Sequence, residues 1–131
     1  MTEPRTVGDV MTPNPVSVPE AASLAEAAGL LDSRHISGLP VIDASGCLVG
    51  VLSQIDLVRA QANPQLHANW RGLAVGEIMT KPALTILSTA GLDEAARLMG
   101  ERRVHRLVVT DKAATPIGII SASDLVRSWL G

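Results

Sequence analysis

A seven-residue pattern that could bind a polar ligand occurs twice in the sequence. The two copies, Gly50–Asp56 and Gly118–Asp124, lie 68 residues apart, and each reads glycine, two aliphatic residues, serine, two variable residues and aspartate. In each copy an apolar strand pattern runs into the serine, and a helical pattern follows. Ser53 and Ser121 are therefore predicted to be helix N-caps, with the aspartate at the third position of the helix.

Such a position offers a ligand two kinds of polar group. The first turn of a helix presents N–H groups without intrahelical partners and the positive end of the helix dipole, which suits an anion such as phosphate. The carboxylate could accept both hydroxyls of a ribose, and the glycine would let a ligand approach the strand backbone. The same Ser-x-x-Asp pattern is also a capping box, in which the acid bonds back to the N–H of the cap and no ligand is involved. The motif alone leaves both interpretations open.

The composition limits the classes of function. A chain of 131 residues with a hydrophobic fraction of 47% can form one compact domain or two small halves that stabilise each other. A net charge of −2 and the near absence of aromatic residues argue against nucleic-acid binding. The single Cys47 excludes a disulfide within the chain and favours a reducing, cytoplasmic location. Since no signal-peptide pattern and no membrane-length apolar run are present, we expect a soluble protein without membrane contact.

The duplicated motif belongs to a longer repeat that organises the chain. We predict a first repeat at residues 7–60, a linker at residues 61–74 and a second repeat at residues 75–130. In each repeat the apolar periodicity predicts a helical turn, a strand, a helix, two strands that form a hairpin, and a final helix. The expected fold is α/β, with two repeats that are related by a pseudo-twofold axis and packed through their sheets.

Local signals place several of these elements. The first strands are predicted at Val16–Val18 and Leu84–Ile86. Ser23 and Glu26 form a further capping-box pattern before the first long helix. Proline, asparagine and glycine interrupt the linker, and Trp70 is expected to cover the edge of the core.

Three features occur twice: Met-Thr followed by proline, a strand that reads Leu-Pro-Val-Ile-Asp or Leu-Val-Val-Thr-Asp, and the Gly-to-Asp motif. Together they resemble tandem CBS domains, a pair called a Bateman module, over about residues 7–130. Val104–Val109 with Ile119–Asp124 is similar to the CBS repeats of the gamma subunit of AMP-activated protein kinase. The resemblance implies a regulatory module that binds AMP, ADP or ATP in the cleft between the repeats and signals to an effector protein. S-adenosylmethionine and NAD are alternative ligands.

The resemblance also implies two ligand sites, each of which combines residues of both repeats. In the family the motif aspartate holds the ribose, the motif serines lie near the ribose and phosphate, and backbone and apolar groups hold the base. One site would consist of Ser121, Ser123, Asp124, Thr12, Val16, Ser37 and Gly38. The other would consist of Ser53, Asp56, Thr80, Leu84, His105 and Arg106.

The two implied sites differ in charge. The second repeat has His105 and Arg106 where the first has Ser37 and Gly38. The planar guanidinium of Arg106 could bind phosphate through two donors at once, with His105 beside it. Alternatively, both are solvated residues at a strand edge, and Arg102 and Arg103 complement a helix C-terminus. The first interpretation predicts one phosphate-rich site and one weaker or empty site.

No pattern typical of a catalytic or metal site is present in the sequence. There is no phosphate-binding loop with its lysine, no nucleophile elbow, and no metal-ligand spacing among His35, His67, His105 and Cys47. His35 is expected to be structural. We therefore expect a non-enzymatic protein that requires no cofactor and holds no metal. The alternative to ligand sensing is a ligand-free dimerisation or docking module whose motif acids only cap helices.

Apolar residues after each motif predict a homodimer. The pairs are Leu57-Val58 and Leu125-Val126, and the second helix adds Trp129 and Leu130. Neighbouring residues lie about 100° apart on a helix, so one member of each pair can face the core while the other faces a second surface. We expect dimerisation largely through these helices, the alternative being that all of these residues pack in the monomer core.

Overall fold

The computed structural model describes residues 6–130, which adopt an α/β fold with two β-sheets. The helices are α1 (Val7–Val10), α2 (Leu24–Arg34), α3 (Gln54–Ala62), α4 (Pro64–Ala68), α5 (Val75–Ile78), α6 (Leu92–Arg102) and α7 (Ala122–Leu130), with a 3-10 helix at Trp70–Gly72. The strands are β1 (Thr12–Pro13), β2 (Val18–Pro19), β3 (Gly38–Ile42), β4 (Leu48–Ser53), β5 (Thr85–Leu87), β6 (Arg106–Thr110) and β7 (Pro116–Ser121). The predicted order of elements is confirmed, and the short β1 is an addition to it.

The first long helix begins at the cap that the sequence predicts, and both long helices end at a residue in the left-handed conformation. The Ser23 hydroxyl caps α2 by accepting the N–H of Glu26 at 3.1 Å. His35 and Arg103 follow α2 and α6 and adopt left-handed φ angles of 53° and 55°. His35 is thus an exposed C-cap residue. Arg102 lies in the last turn of α6, where a cation interacts favourably with the helix dipole.

The described residues divide into two compact units. The Asp56 unit consists of Val16–Ala83. The Asp124 unit consists of the described residues up to Pro15 together with those from Leu84 onward. The units differ from the sequence repeats, because the opening segment of each repeat packs in the unit that carries the other repeat's motif.

Each unit contains one sheet. The Asp124 unit has the strand order β1-β7-β6-β5, in which β6 and β7 form an antiparallel hairpin and β5 runs parallel to β6. Its β1 pairs with β7 through Thr12 and Ile119. The Asp56 unit has the order β2-β3-β4 with the same parallel and antiparallel pairings. Thr80 adds to this sheet through two backbone hydrogen bonds with Val51, of 3.0 and 2.9 Å.

The first strands are shifted from their predicted positions. The strand expected at Val16–Val18 is β2, which begins at Val18, and the strand expected at Leu84–Ile86 is β5, which begins at Thr85. Each shift follows from pairing, since β2 pairs with Val41 and Ile42 at the end of β3. Alternation in the sequence locates a strand but does not fix the residues at which its ladder begins and ends.

The motif glycines let the Met-Thr segments pack closely against the motif strands. A methyl group at Gly50 would lie 2.7 Å from Sδ of Met79 and 2.8 Å from the carbonyl oxygen of the next residue. A methyl group at Gly118 would collide with Met11 and lie 3.0 Å from the next residue's carbonyl oxygen. The expectation that these glycines admit a ligand to the backbone is therefore wrong, because the chain itself fills the space.

Each unit also has its own apolar core. The short helices α1 and α5 contribute the fully buried Val7 and Val75 to the cores of the Asp124 and Asp56 units, respectively. The core of the Asp56 unit consists of Val18, Leu24, Ala27, Leu31, Leu39, Val41, Leu52, Leu73 and Val75. The core of the Asp124 unit consists of Val7, Ile86, Ala95, Met99, Leu107, Val109, Ile120 and Leu125.

The linker contains helical structure that its breaker residues did not suggest. Asn63 caps α4 by accepting two backbone N–H groups at 3.0 and 3.2 Å. Pro64 occupies the first helical position, where its missing N–H removes no intrahelical bond. Trp70 packs against the core of the Asp56 unit, as predicted.

Candidate functional site

Asp56 closes a capping box at the start of α3. The backbone N–H and the hydroxyl of Ser53 donate to Oδ2 of Asp56 at 2.9 and 3.1 Å. The N–H of Asp56 in turn donates to Oγ of Ser53 at 3.3 Å. Oδ1 of Asp56 accepts from the hydroxyl of Thr80 at 3.0 Å. Asp56 is only 7% exposed. One oxygen of its carboxylate is thus fixed by the cap, and the other is held by a neutral hydroxyl.

Asp124 closes the equivalent box at the start of α7 and is also 7% exposed. The N–H of Ser121 donates to Oδ2 of Asp124 at 2.8 Å, and the N–H of Asp124 donates to Oγ of Ser121 at 3.1 Å. Its Oδ1 accepts from Nη2 of Arg127 at 2.5 Å. The second oxygen here is therefore held by a cation.

The residues at equivalent positions do not share these roles. Thr12 corresponds to Thr80, and Arg59 corresponds to Arg127, at the same offset of 68 residues. Within residues 6–130, Thr12 makes no hydrogen bond to the aspartate of its unit, and Arg59 makes no ion pair. Arg127 was not predicted from the sequence, although an acid and an arginine three residues apart on a helix are a recognisable pair.

Ser37 and Gly38 lie beside the Asp56 motif. The carbonyl oxygen of Ser37 accepts the N–H of Gln54 at 3.0 Å, and Gly38 is paired with Ser53 across the β3–β4 hairpin. Val16 precedes β2 and packs, partly buried, against the core of the same unit. These residues therefore belong to the Asp56 unit.

His105 and Arg106 lie beside the Asp124 motif in the same way. The carbonyl oxygen of His105 accepts the N–H of Ala122 at 2.8 Å, and Arg106 is paired with Ser121 across the β6–β7 hairpin. Both side chains are exposed. The unit also contains the three remaining predicted site residues, which are Thr12 in β1, Leu84 before β5 and Ser123 in α7.

Within a single unit the structure brings together only part of each implied ligand site. Asp56, Ser53 and Thr80 are joined by hydrogen bonds. Asp124 and Ser121 are joined likewise. The combination of each group with residues of the other unit stays a prediction.

Other features of the described residues lie away from the motifs. A cavity of about 350 Å³ lies on the linker, and none of the predicted ligand-binding residues lines it. Its lining residues are Gln61, His67, Ala68, Asn69, Trp70, Arg71 and Gly72. No cluster of three or more histidine, cysteine or acidic residues in the described part of the chain could hold a metal ion. None of the helices between residues 6 and 130 has the length and apolar character needed to cross a membrane.

The fold and the duplicated motif identify the class of protein. The family model described as "CBS domain" matches residues 7–63 and 75–131, which together make 114 of the 131 residues. The chain belongs to the CBS-domain family and carries a tandem pair of these domains.

Comparison with individual relatives gives the same result. CBSX2 of Arabidopsis thaliana, described as chloroplastic, is 34% identical over 151 aligned residues, which cover 95% of this chain and 63% of the relative. The crystal structure of CBSX2 in complex with AMP has a TM-score of 0.84 at 37% identity and covers 97% of both chains. The 5′-AMP-activated protein kinase subunit gamma-3 of Bos taurus is 30% identical over 101 aligned residues, which cover 72% of this chain and 20% of the relative. The chain thus spans less than two thirds of both curated relatives.

A second solved structure belongs to the same group. The CBS domain pair of protein MJ0100, in complex with 5′-methylthioadenosine and S-adenosyl-L-methionine, has a TM-score of 0.81 at 28% identity and covers 96% of both chains. The predicted α/β fold and the resemblance to CBS pairs, including that of the kinase gamma subunit, are confirmed.

Proposed function

We propose that this chain is a regulatory module that senses an adenosine-containing nucleotide, whose ribose is held by Asp56 or Asp124. The observation that carries the proposal is the 3.0 Å hydrogen bond from the Thr80 hydroxyl to Oδ1 of Asp56, while the cap holds the other oxygen. A carboxylate can therefore cap its helix and accept a hydroxyl at the same time. Capping and ligand binding, which are alternatives from sequence alone, are compatible in one side chain.

The chemistry of the motif suits a ribose. An ionised carboxylate oxygen has two lone-pair sites, so Oδ1 of Asp56 can keep Thr80 and accept a ribose hydroxyl as well. Hydrogen bonds to a charged acceptor are shorter and roughly twice as strong as neutral ones. Because the cap fixes the carboxylate before any ligand arrives, little side-chain entropy is lost on binding.

The relatives support an adenosine moiety. The CBSX2 complex contains AMP, and the MJ0100 complex contains 5′-methylthioadenosine and S-adenosyl-L-methionine. These molecules share an adenosine with a ribose diol and differ in the group attached to the 5′ carbon. We propose AMP, ADP or ATP as the ligand, with S-adenosylmethionine and NAD as alternatives, and His105 with Arg106 as the phosphate contacts. The location in a cleft between the repeats stays a prediction from the family resemblance.

We also propose that the chain acts on an effector protein by binding, without catalysis. The matches to the CBS domain account for most of the sequence. In the described residues, Ser53 and Ser121 act as helix caps. The cytoplasmic location stays a prediction from the sequence.

The second candidate function is dimerisation or docking, and exposed apolar side chains favour it. On α7, Val126, Trp129 and Leu130 are exposed, the last two by 65% and 80%. On α3, Ile55 and Val58 are exposed. Residues three and four positions apart share a helix face, so each helix presents its own apolar surface. We propose a homodimer that uses these surfaces, and dimerisation is compatible with ligand sensing.

A thermal-shift series separates sensing from docking alone. The protein is heated with AMP, ADP, ATP, NAD and S-adenosylmethionine in turn. A ligand at 100 times its Kd should raise the free energy of unfolding by roughly 2.7 kcal/mol. The matched control is the double variant Asp56→Ala with Asp124→Ala, whose unfolding temperature should respond much less to the same ligand concentration. If none of the five compounds shifts the unmodified protein, the sensing proposal is wrong and docking remains.

A further inference from the structure

The two motif carboxylates differ in the group that contacts Oδ1. At Asp56 this group is the neutral hydroxyl of Thr80, at 3.0 Å. At Asp124 it is the guanidinium of Arg127, at 2.5 Å. The carboxylate of Asp124 is buried, whereas the Arg127 side chain is 70% exposed. The cation that contacts the buried carboxylate is thus itself in contact with solvent.

We propose that Arg127 is a built-in competitor of the ligand at Asp124, because its guanidinium takes one lone-pair site of Oδ1 and also compensates the negative charge that would strengthen a hydrogen bond from the ribose. The inference rests on the proposed function, since it concerns the oxygen to which that function assigns the ribose. A nucleoside gains the full charge of Asp124 only after Arg127 moves away, whereas at Asp56 the neutral Thr80 hydroxyl leaves the charge uncompensated. Arg127 therefore lowers the affinity of this motif for any ligand held by its diol.

The geometry of the pair makes Arg127 a removable competitor rather than a permanent block. Only the arginine of this pair is exposed, so water hydrates the guanidinium well, and the pair costs the arginine rotamer freedom. When Arg127 leaves the carboxylate, its guanidinium moves into solvent, while the N–H of Ser121 still donates to Oδ2 of Asp124. The carboxylate consequently keeps its orientation when Arg127 leaves.

The chain supplies its own matched control for this idea. Arg59 occupies the position in α3 that Arg127 occupies in α7, three residues after the motif aspartate. Within the described residues Arg59 makes no ion pair. Removal of this charge should leave ligand binding at Asp56 unchanged, whereas removal of Arg127 should strengthen binding at Asp124.

The test isolates each motif and uses adenosine, an uncharged probe. Asp56→Ala leaves only Asp124 to bind, and Asp124→Ala leaves only Asp56. Titration calorimetry should show that adding Arg127→Gln to Asp56→Ala raises adenosine affinity by roughly two- to five-fold, the range of a weak ion pair on a helix. Adding Arg59→Gln to Asp124→Ala should change the affinity by less than the error of the measurement.

Ionic strength gives a second readout that a merely structural role would not move. Salt screens an ion pair whose cation lies in solvent and leaves a neutral ligand untouched. Adenosine affinity of Asp56→Ala should therefore rise between about 0.05 and 0.5 M NaCl, where the Debye length falls from roughly 14 to 4 Å. In the Arg127→Gln background the affinity should be flat across the same range.

Each outcome separates the competitor role from the sensing function. If Asp56→Ala binds adenosine equally well with and without Arg127→Gln, the competitor role is overturned and the sensing function stands. If adenosine binds neither protein, at any salt concentration, ribose binding at Asp124 fails and the competitor role falls with it. Thermal unfolding of each variant establishes that it is folded, and Arg127→Ala repeats the test with a side chain that cannot donate to Asp124.

Discussion

The Asp56 and Asp124 motifs share a sequence pattern, a capping box and a degree of burial, but their carboxylates have different chemical surroundings. Thr80 donates a neutral hydroxyl to Asp56, whereas Arg127 brings a positive charge to Asp124. Each donor has a counterpart of the same residue type in the other repeat, since Thr12 is equivalent to Thr80 and Arg59 to Arg127. The difference therefore lies in which donor reaches the carboxylate.

This contrast shows that sequence duplication preserves a local hydrogen-bonding pattern, the capping box, more faithfully than the complete surroundings of the carboxylate. The capping box involves residues three positions apart, so a copied sequence restores it whatever the surroundings. The second partner of each carboxylate comes from a segment 24 residues away at Asp56 and from the same helix at Asp124. Two copies of one motif can thus offer a ligand different electrostatics without any change in the motif itself.

The largest expected effect is the loss of the carboxylates. Asp56→Ala and Asp124→Ala should each weaken nucleotide binding at their own motif by about 10- to 100-fold, because hydrogen bonds to a charged acceptor contribute roughly 1.5–3 kcal/mol. Asp56→Ala should have the larger effect on total adenosine binding, since no cation competes there. Calorimetry with adenosine and ATP measures both.

Loss of stability must be separated from loss of binding in these variants. Ser23→Ala removes a helix cap that lies in no implied ligand site, and it should cost about 1 kcal/mol of stability with unchanged affinity. Full nucleotide affinity in both aspartate variants would leave the acids with a capping role alone.

The helices that follow the two motifs, α3 and α7, also differ in their exposed apolar surfaces, which predicts unequal contributions to the homodimer. Trp129→Ser should weaken the homodimer by roughly 30-fold, since a buried tryptophan at an interface is typically worth about 2 kcal/mol or more. Val58→Ser on α3 should have a smaller effect, because it removes a smaller side chain. Light scattering across a dilution series gives the mass, and a strictly monomeric mass of the unmodified protein at micromolar concentration rules out the dimer.

The motif glycines should behave alike, because both are restricted by a neighbouring backbone carbonyl. Gly50→Ala and Gly118→Ala should each lower the free energy of unfolding by about 1–3 kcal/mol through overpacking. Gly29→Ala in α2 is the control, since nothing lies within 4 Å of its added methyl group and alanine favours a helix by about 0.5–1 kcal/mol. Chemical denaturation measures all three, and a stabilised Gly50→Ala would show that the Met-Thr segment shifts freely.

The smallest expected effect concerns phosphate. Arg106→Ala should weaken ATP binding by roughly two- to five-fold, in line with an exposed ion pair, and leave adenosine binding unchanged. ATP affinity of the unmodified protein should also fall as salt rises. Equal losses for adenosine and ATP would remove Arg106 from the phosphate contacts.

Much of the fold can be predicted from the sequence because its signals are local. The capping serines, the helix periodicity of α2 and α6, and the hairpins at both motifs involve residues close in the chain, and each was found where predicted. The prediction for the linker was less accurate, since Pro64 marks the start of α4 rather than an interruption of structure. A proline is compatible with a helix start and with a helix break, and only the cap at Asn63 shows that a helix begins here.

The local sequence patterns left open which segments pack together, and the tertiary structure decided it. Thr12 and Thr80 lie near the start of their repeats, yet each pairs with the strand of the other repeat's motif. Thr12 pairs with Ile119, which is 107 residues away, and Thr80 pairs with Val51, which is 29 residues away. The sequence determined that two equal motifs exist, each with a capped carboxylate. It did not determine the neighbour of each Oδ1, because a hydrogen bond between distant residues depends on how backbones approach, and no local pattern encodes that approach.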